Sequence, residues 1–347
     1  MSDDQTAEPG PEADLEEIRG LMRAMPGPDK AAADAARSRE TELTKPAGAL
    51  GRLETIAEWA AAWQGRHPAK VDRPRVAVFA ANHGVAARGV SAYPADVTAQ
   101  MVANFQRGGA AVNQLCAVHD AELRVYEMAL DHPTLDFTLE PAMGEADVAT
   151  ALAYGMMAVE EGVDLLCLGE MGIGNSTSAA ALSCALFGGA AADWTGPGTG
   201  VQGDALTAKI KVVEAGVALH AQAAADPFDL LRRLGGLELA AIAGAVIAAR
   251  MGRVPVILDG FACTAAAAIL QAIDETALDH CLIAHRSAEP GHGRLMQALG
   301  KEPLLDLGMR LGEGSGAAVA LGVVKSAIAC HAGMATFAEA AVSGPAA

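Results

Sequence analysis

Basic residues are scarce in this chain. Lys and Arg number 25 against 42 Asp and Glu in 347 residues, a net charge of −17. A field of that sign opposes nucleic acid and anionic membrane surfaces, so neither is an expected partner, and an anionic ligand must be held by local donors. Aromatic residues are only 4% while alanine and glycine abound, so helices and strands are expected to approach closely. The six cysteines, Cys116, Cys167, Cys184, Cys263, Cys281 and Cys330, show no CxxC spacing. Most lie in apolar runs, where cysteine acts as a small hydrophobe. No zinc pattern or disulfide framework is readable, and a reducing, cytoplasmic setting is the expectation. Apolar segments are broken by Gly, Pro or charge before about 18 residues or read as amphipathic or core helices, so no membrane span is expected. Seven acids precede the first basic residue, Arg19, the opposite of a signal peptide's basic start.

The two common nucleotide motifs are also missing. No glycine loop ends in GK[ST], and the glycines at 169, 172 and 174 do not follow G-x-G-x-x-G. The stretch Asp164–Leu182 nevertheless carries the chemistry. An apolar run, Leu165-Leu166-Cys167-Leu168, is short enough for one buried strand. Gly169-Glu170, the turn Gly172-Ile173-Gly174, and Asn175-Ser176-Thr177 follow, and an alanine-rich helix is expected over Ala179–Phe187. Strand, glycine loop and helix N-terminus together form an anion cradle, with phosphate the obvious guest. A capped turn without a ligand fits the same residues. Glu170 would repel a phosphate unless it faced another part of the ligand, which implies a ligand with one anionic end and a hydroxyl, cation or N–H at the other.

Residues 1–14 read as a disordered acidic tail. Residues 15–70 read as mainly helical, part of a smaller helical domain, with helices at 15–25, 29–38 and 53–63. Lys45 and Arg52 there read as ordinary solvated charges. Residues 71–335 alternate strands (75–80, 123–128, 165–168, 254–258, 280–284) with helices (111–117, 147–161, 206–223, 237–251, 269–277, 317–329), and 336–347 form a tail. Asp96 or Thr98 is expected to cap a helix running through Phe105. The expected fold is α/β, a parallel sheet flanked by helices in a Rossmann-like three-layer arrangement. Polar clusters follow strand after strand: Asn82/His83, Glu170, Asp259 and His285/Arg286/Glu289. A parallel sheet sets such ends along one rim, where ligands bind.

ANHGV at 81–85, GVSAYP at 89–94, VTAQMVANF at 97–105, GEMGIGNSTSAAAL at 169–182, TGPGTG at 195–200, LDGF at 258–261, HRSAEPGH at 285–292 and LLDLGMRLGEGSGAA at 304–318 resemble the nicotinate-nucleotide–dimethylbenzimidazole phosphoribosyltransferases, as does TKPAGALGRLE at 44–54. The resemblance runs in order over roughly residues 40–335. It implies transfer of ribose 5-phosphate from nicotinate mononucleotide to a benzimidazole nitrogen with inversion at the anomeric carbon, for cobalamin synthesis. It also implies no cofactor or metal, and a homodimer. The pyridinium leaving group departs as nicotinate and needs neither protonation nor Mg²⁺. The resemblance makes Glu313 the base that takes the azole proton and places Glu170 near the anomeric carbon or ribose hydroxyls. Gly172, Gly174, Asn175, Ser176, Thr177 and Lys209 are expected to hold phosphate and ribose, and Ser91, Tyr93, Gln100, Met171 and Leu311 to line the benzimidazole pocket. A tyrosine or methionine at such positions suits a core equally well. A carboxylate at a helix start has its pKa lowered, whereas a buried ring site raises it, so Glu313 stands between two opposed effects. His83, His285, His292 and Asp259 fit as structural groups. Another acceptor, including adenine, a phenol or water, and a non-catalytic nucleotide-binding protein are the alternatives.

Overall fold

The computed structural model describes residues 14–344; most of the expected acidic tail and the last three residues lie outside them. The chain begins with α1 (Leu15–Arg23), α2 (Lys30–Glu42) and α3 (Arg52–Gln64). Asp14 and Asp29 cap the first two, their side chains accepting the N–H of Glu16 and Ala32. Next come β1 (Pro74–Ala80), a 3-10 turn at Gly84–Arg88, α4 (Val97–Gln106), α5 (Ala111–Val118), β2 (Glu122–Glu127), α6 (Glu145–Met156) and β3 (Leu165–Met171). They are followed by α7 (Asn175–Phe187), α8 (Ala191–Trp194), α9 (Gly203–His220), α10 (Pro227–Leu234), α11 (Leu237–Met251) and β4 (Val256–Leu258). The chain continues through α12 (Phe261–Ile273), β5 (Cys281–His285), α13 (Pro290–Ala298), β6 (Pro303–Leu305) and α14 (Ser315–Gly333).

All six strands are parallel, in the order β2-β1-β3-β4-β5-β6. Strand residues alternate between two cores. Ala77, Phe79, Leu166, Leu168 and Leu258 face one, with α6, α7 and α10–α12. Val76, Val78, Leu165, Cys167 and Ile257 face the other, with α3, α5 and α14. This is why the central strands are apolar throughout: both faces are covered. The order reverses between β1 and β3, and the crevice beyond their C-terminal ends is where an open parallel sheet takes a ligand.

The N-terminal helices pack on this body, α1 against α6 and α11, and α3 against α2 and α14. Lys45 is no solvated charge. It is buried with its Nζ 2.9 Å from Glu40 and 2.7 Å from Glu54, and these partners hold its pKa above the usual range against burial. Arg52 reaches across to the Pro303 carbonyl (2.6 Å) beside β6. Among the described residues α14 alone is long and apolar enough to cross a membrane. Here it is a core helix, packed on the sheet and α3.

Four local differences from the sequence reading have physical causes. α7 starts at Asn175, four residues earlier than expected, because Gly174 adopts φ +105° and turns the chain directly into the helix. α12 starts at Phe261, straight after β4, since Thr264 and its alanines carry no breaker. α13 and β6 were not expected at all: one opens Pro-Gly-His-Gly, and the other is a three-residue edge strand beginning with Pro. Thr98 caps nothing. It is fully buried, and its hydroxyl accepts the Ile173 N–H (3.2 Å).

Candidate active site

A cleft of about 560 Å³ opens at the C-terminal ends of β3, β4 and β5. Its acidic end comes from two neighbouring segments. Gly169 in β3 makes this possible, because an added Cβ would lie 2.3 Å from the Gly314 nitrogen. The loop Gly312-Glu313-Gly314 therefore rests directly on the strand, and the Glu313 N–H donates to the Glu170 carbonyl (3.1 Å). All three loop residues have positive φ, Glu313 at +64°. A non-glycine residue pays about 1–2 kcal/mol for that conformation. Asp259, at the end of β4, pins the loop by accepting from the N–H groups of Gly314 (3.2 Å) and Ala317 (2.8 Å). It is fully buried and thereby stands in for the side-chain cap that Gly314 cannot supply to α14.

Of the two effects opposed at Glu313, burial wins. Its residue is 6% exposed and its pKa is pushed up to about 7. The loop, held through its backbone hydrogen bonds to Glu170 and Asp259, fixes its position. Burial also raises Glu170 well above the carboxylate range, helped by the charges of Asp259, Glu238 and Glu313 and opposed by the Asn175 amide, which donates to Glu170 Oε2.

The cationic end lies across the cleft. Lys209 is 1% exposed, and its Nζ donates to Ser176 Oγ (2.9 Å) in the first turn of α7. Burial lowers its pKa to about 8, opposed by Glu289, so it keeps its charge at neutral pH. The loop after α8 closes over this pair. An added Cβ on Gly198 would meet Ser176 Oγ at 2.6 Å and Lys209 Nζ at 2.7 Å. The Gly198 N–H donates to Glu289 Oε1 (2.8 Å), and its carbonyl accepts from Arg310 (3.1 Å).

Between the two ends the walls are largely apolar. Of the residues expected from sequence, Tyr93, Glu170, Met171, Gly172, Asn175, Ser176, Leu311 and Glu313 line the cleft together. Others do not. Ser91 is not a lining residue; its hydroxyl oxygen lies 2.8 Å from that of Thr199, which does line the cleft, tying two loops together. Gln100 is exposed on the outer face of α4. Thr177 is fully buried, and its hydroxyl has no partner among the described residues. Gly174 and Lys209 support the lining from behind, through the turn and through Ser176. Val97, Met101, Phe261 and Arg310, none of them an expected site residue, also line the cleft, as do Ser287 and Glu289. Val97 and Met101 are four residues apart in α4, the spacing that sets both on one face. His285 also lines the cleft, held neutral by burial, whereas His292 is a buried brace that bonds Thr264 and the Ser287 N–H.

A phosphoribosyltransferase family profile matches residues 25–342. The chain is 61% identical over 329 residues to the nicotinate-nucleotide–dimethylbenzimidazole phosphoribosyltransferase of Rhizobium meliloti (strain 1021), covering 95% of this chain and 97% of that one. The chain belongs to the nicotinate-nucleotide–dimethylbenzimidazole phosphoribosyltransferase family. The namesake enzyme of Methylocella silvestris is 60% identical over 332 residues, covering 96% and 97% of the two chains. The crystal structure of CobT from Thermus thermophilus superposes with a TM-score of 0.84 at 40% identity, over 91% of this chain and all of that one. In this phosphoribosyltransferase the shared architecture thus extends over about nine-tenths of the chain.

Proposed function

We propose that this cleft transfers the phosphoribosyl group of nicotinate mononucleotide to 5,6-dimethylbenzimidazole in cobalamin synthesis, with the residue roles that follow. The observation that carries this reading is the polarity of the cleft. A buried lysine and serine at a helix N-terminus stand at one end, an abnormally basic carboxylate at the other, and apolar walls lie between.

The donor phosphate lies at the N-terminus of α7, where Ser176 and the backbone N–H groups receive its charge, Lys209 adds its own from behind Ser176, and Arg310 closes the rim. Tyr93, Val97, Met101, Met171 and Leu311 hold the flat acceptor ring. One ring nitrogen of the acceptor attacks the anomeric carbon from the face opposite nicotinate. The bond from that carbon to the pyridinium nitrogen breaks, its electron pair neutralises the ring, and nicotinate leaves. The proton on the acceptor's other nitrogen goes to Glu313. A base with a pKa near neutrality combines availability with proton affinity, typically worth about 10²–10⁴ in rate.

Glu170 shares the acidic end with Glu313 and is tied by the Asn175 amide to the start of α7. The cationic pyridinium and the positive charge developing on the ribose favour its ionised form, which then stabilises the transition state. This charge assistance replaces leaving-group protonation. A homodimer in a cytoplasmic setting belongs to the same proposal, and light scattering tests the dimer.

The experiment is product analysis by HPLC and mass spectrometry with both substrates. The expected result is α-ribazole 5′-phosphate and nicotinate from the wild type, with a loss of at least about 10² in rate for Glu313→Gln. Equal rates in both would remove Glu313 as base. Nicotinate release with ribose 5-phosphate would mean that water, not the azole, is the acceptor.

A further inference from the structure

The phosphate loop rests on a buried histidine that does not reach the cleft. His83 leaves the end of β1 in extended conformation, and its ring lies beneath the loop at 172–174. Its Nε2 is 2.6 Å from Glu238 Oε1 at the start of α11. Its Nδ1 is 3.1 Å from Ser178 Oγ in the first turn of α7. A carboxylate only accepts, so Nε2 donates to Glu238; in the neutral imidazole Nδ1 then accepts from the serine. The packing leaves no slack. An added Cβ on Gly236 would lie 2.2 Å from His83 Cε1, and one on Gly174 would lie 3.1 Å from His83 Cβ. On its other side the loop is held by Thr98, through the Ile173 N–H.

Stability alone gives no reason for this arrangement. His83, Ser178 and Glu238 are all buried, and Glu238 Oε2 finds no partner among the described residues. Burying a carboxylate oxygen without a partner is costly, and an apolar trio of similar volume would avoid that cost. The directional bonds do what apolar packing cannot. They fix the rotation of the first turn of α7, and with it Ser176, two residues before Ser178, which meets Lys209.

We propose that His83 is a positioning residue for the phosphate loop, transmitting the fixed position of β1 and α11 through Ser178 to the donor site. The proposal rests on the reading of the Gly174–Ser176 segment as the donor-phosphate site. The expected effect is donor-specific: the trio's hydrogen bonds run to α7 and α11, and Val97, Met101 and Leu311 take no part in them.

The test is steady-state kinetics with nicotinate mononucleotide and dimethylbenzimidazole varied separately, alongside melting curves. Variants are Ser178→Ala, His83→Ala, His83→Asn and, as a control on the loop, Ser176→Ala. Ser178→Ala is expected to raise the donor KM about 3- to 10-fold, the worth of one hydrogen bond, and to leave the acceptor KM within about twofold. His83→Ala should raise it further, and His83→Asn, which keeps an acceptor near the Nδ1 position, should recover part. A donor KM unchanged in Ser178→Ala, or equal rises for both substrates, overturns the proposal even if His83→Ala fails to fold. If Ser176→Ala raises the donor KM while Ser178→Ala does not, positioning fails and the phosphate site stands. If neither raises it, the phosphate site itself is wrong.

Discussion

Replacing Glu313 with glutamine should make this protein more stable while nearly abolishing its activity. The carboxyl's pKa moves from 4.5 to about 7 on folding, because burial disfavours its charge. At about 1.36 kcal/mol per pH unit the rise corresponds to about 3 kcal/mol, and solvent in the open cleft reduces that to about 1–3 kcal/mol. The sign follows from proton binding. Below pH 4.5 the group is protonated folded and unfolded, and it costs nothing. Between 4.5 and 7 the unfolded chain releases its proton while the folded one keeps it, so stability falls as pH rises; above 7 the full cost is present. Glutamine keeps the shape and the left-handed backbone strain but never ionises. Urea denaturation of both proteins at about pH 5.5 and about pH 8 measures the effect. The variant's advantage should grow by about 1–2 kcal/mol between the two, since more than half of the titration lies in that window. Its kcat/KM should fall by at least about 10² and lose the rise through neutral pH expected of the wild type. A stability difference that does not change with pH would refute the argument that burial burdens this carboxylate.

Other expectations concern the rest of the cleft. Lys209→Ala should cut kcat/KM for the donor by roughly 10- to 100-fold, the worth of a charged hydrogen bond, read in initial rates. Donor binding should release protons from the cleft, because burial raises Glu170 well above its usual range and a cationic ring bound beside it would oppose that rise. Titration calorimetry in buffers of different ionisation enthalpy would detect that release, and Glu170→Gln should suppress it. Asp259→Ala should destabilise the fold by about 1–3 kcal/mol, as two buried N–H groups lose their acceptor, and should lower kcat as well because Glu313 loses its anchor. Met101→Asp should raise the acceptor KM and leave the donor KM nearly unchanged, since it puts a charge into an apolar wall.

The central strands and the glycine loop were legible because their signals are local. Four apolar residues before Gly169-Glu170, and a glycine turn feeding polar residues into an alanine-rich segment, describe β3 and α7 with no reference to the rest of the chain. Even there the helix boundary slipped, since Gly174 and not the alanine run sets where α7 begins. β6 was missed because three half-buried residues at an edge carry no periodic signal. Val97 and Met101 carried no signal as cleft residues because apolar residues in a helix look like core, yet they line the cleft beside the expected Met171 and Leu311. His83 and Glu238 lie 155 residues apart and form one device only when β1 and α11 meet. Lys45 likewise reads as a surface charge until Glu40 and Glu54 close around it.

The central claim is a single displacement in this cleft, with Glu313 receiving the azole proton and no covalent intermediate. The anomeric configuration of the product tests it most directly. NMR of the nucleotide formed from nicotinate mononucleotide and 5,6-dimethylbenzimidazole should show only the α anomer. A β product, or a mixture of the two, would contradict the account, because it requires two displacements or a free cation that the cleft does not protect.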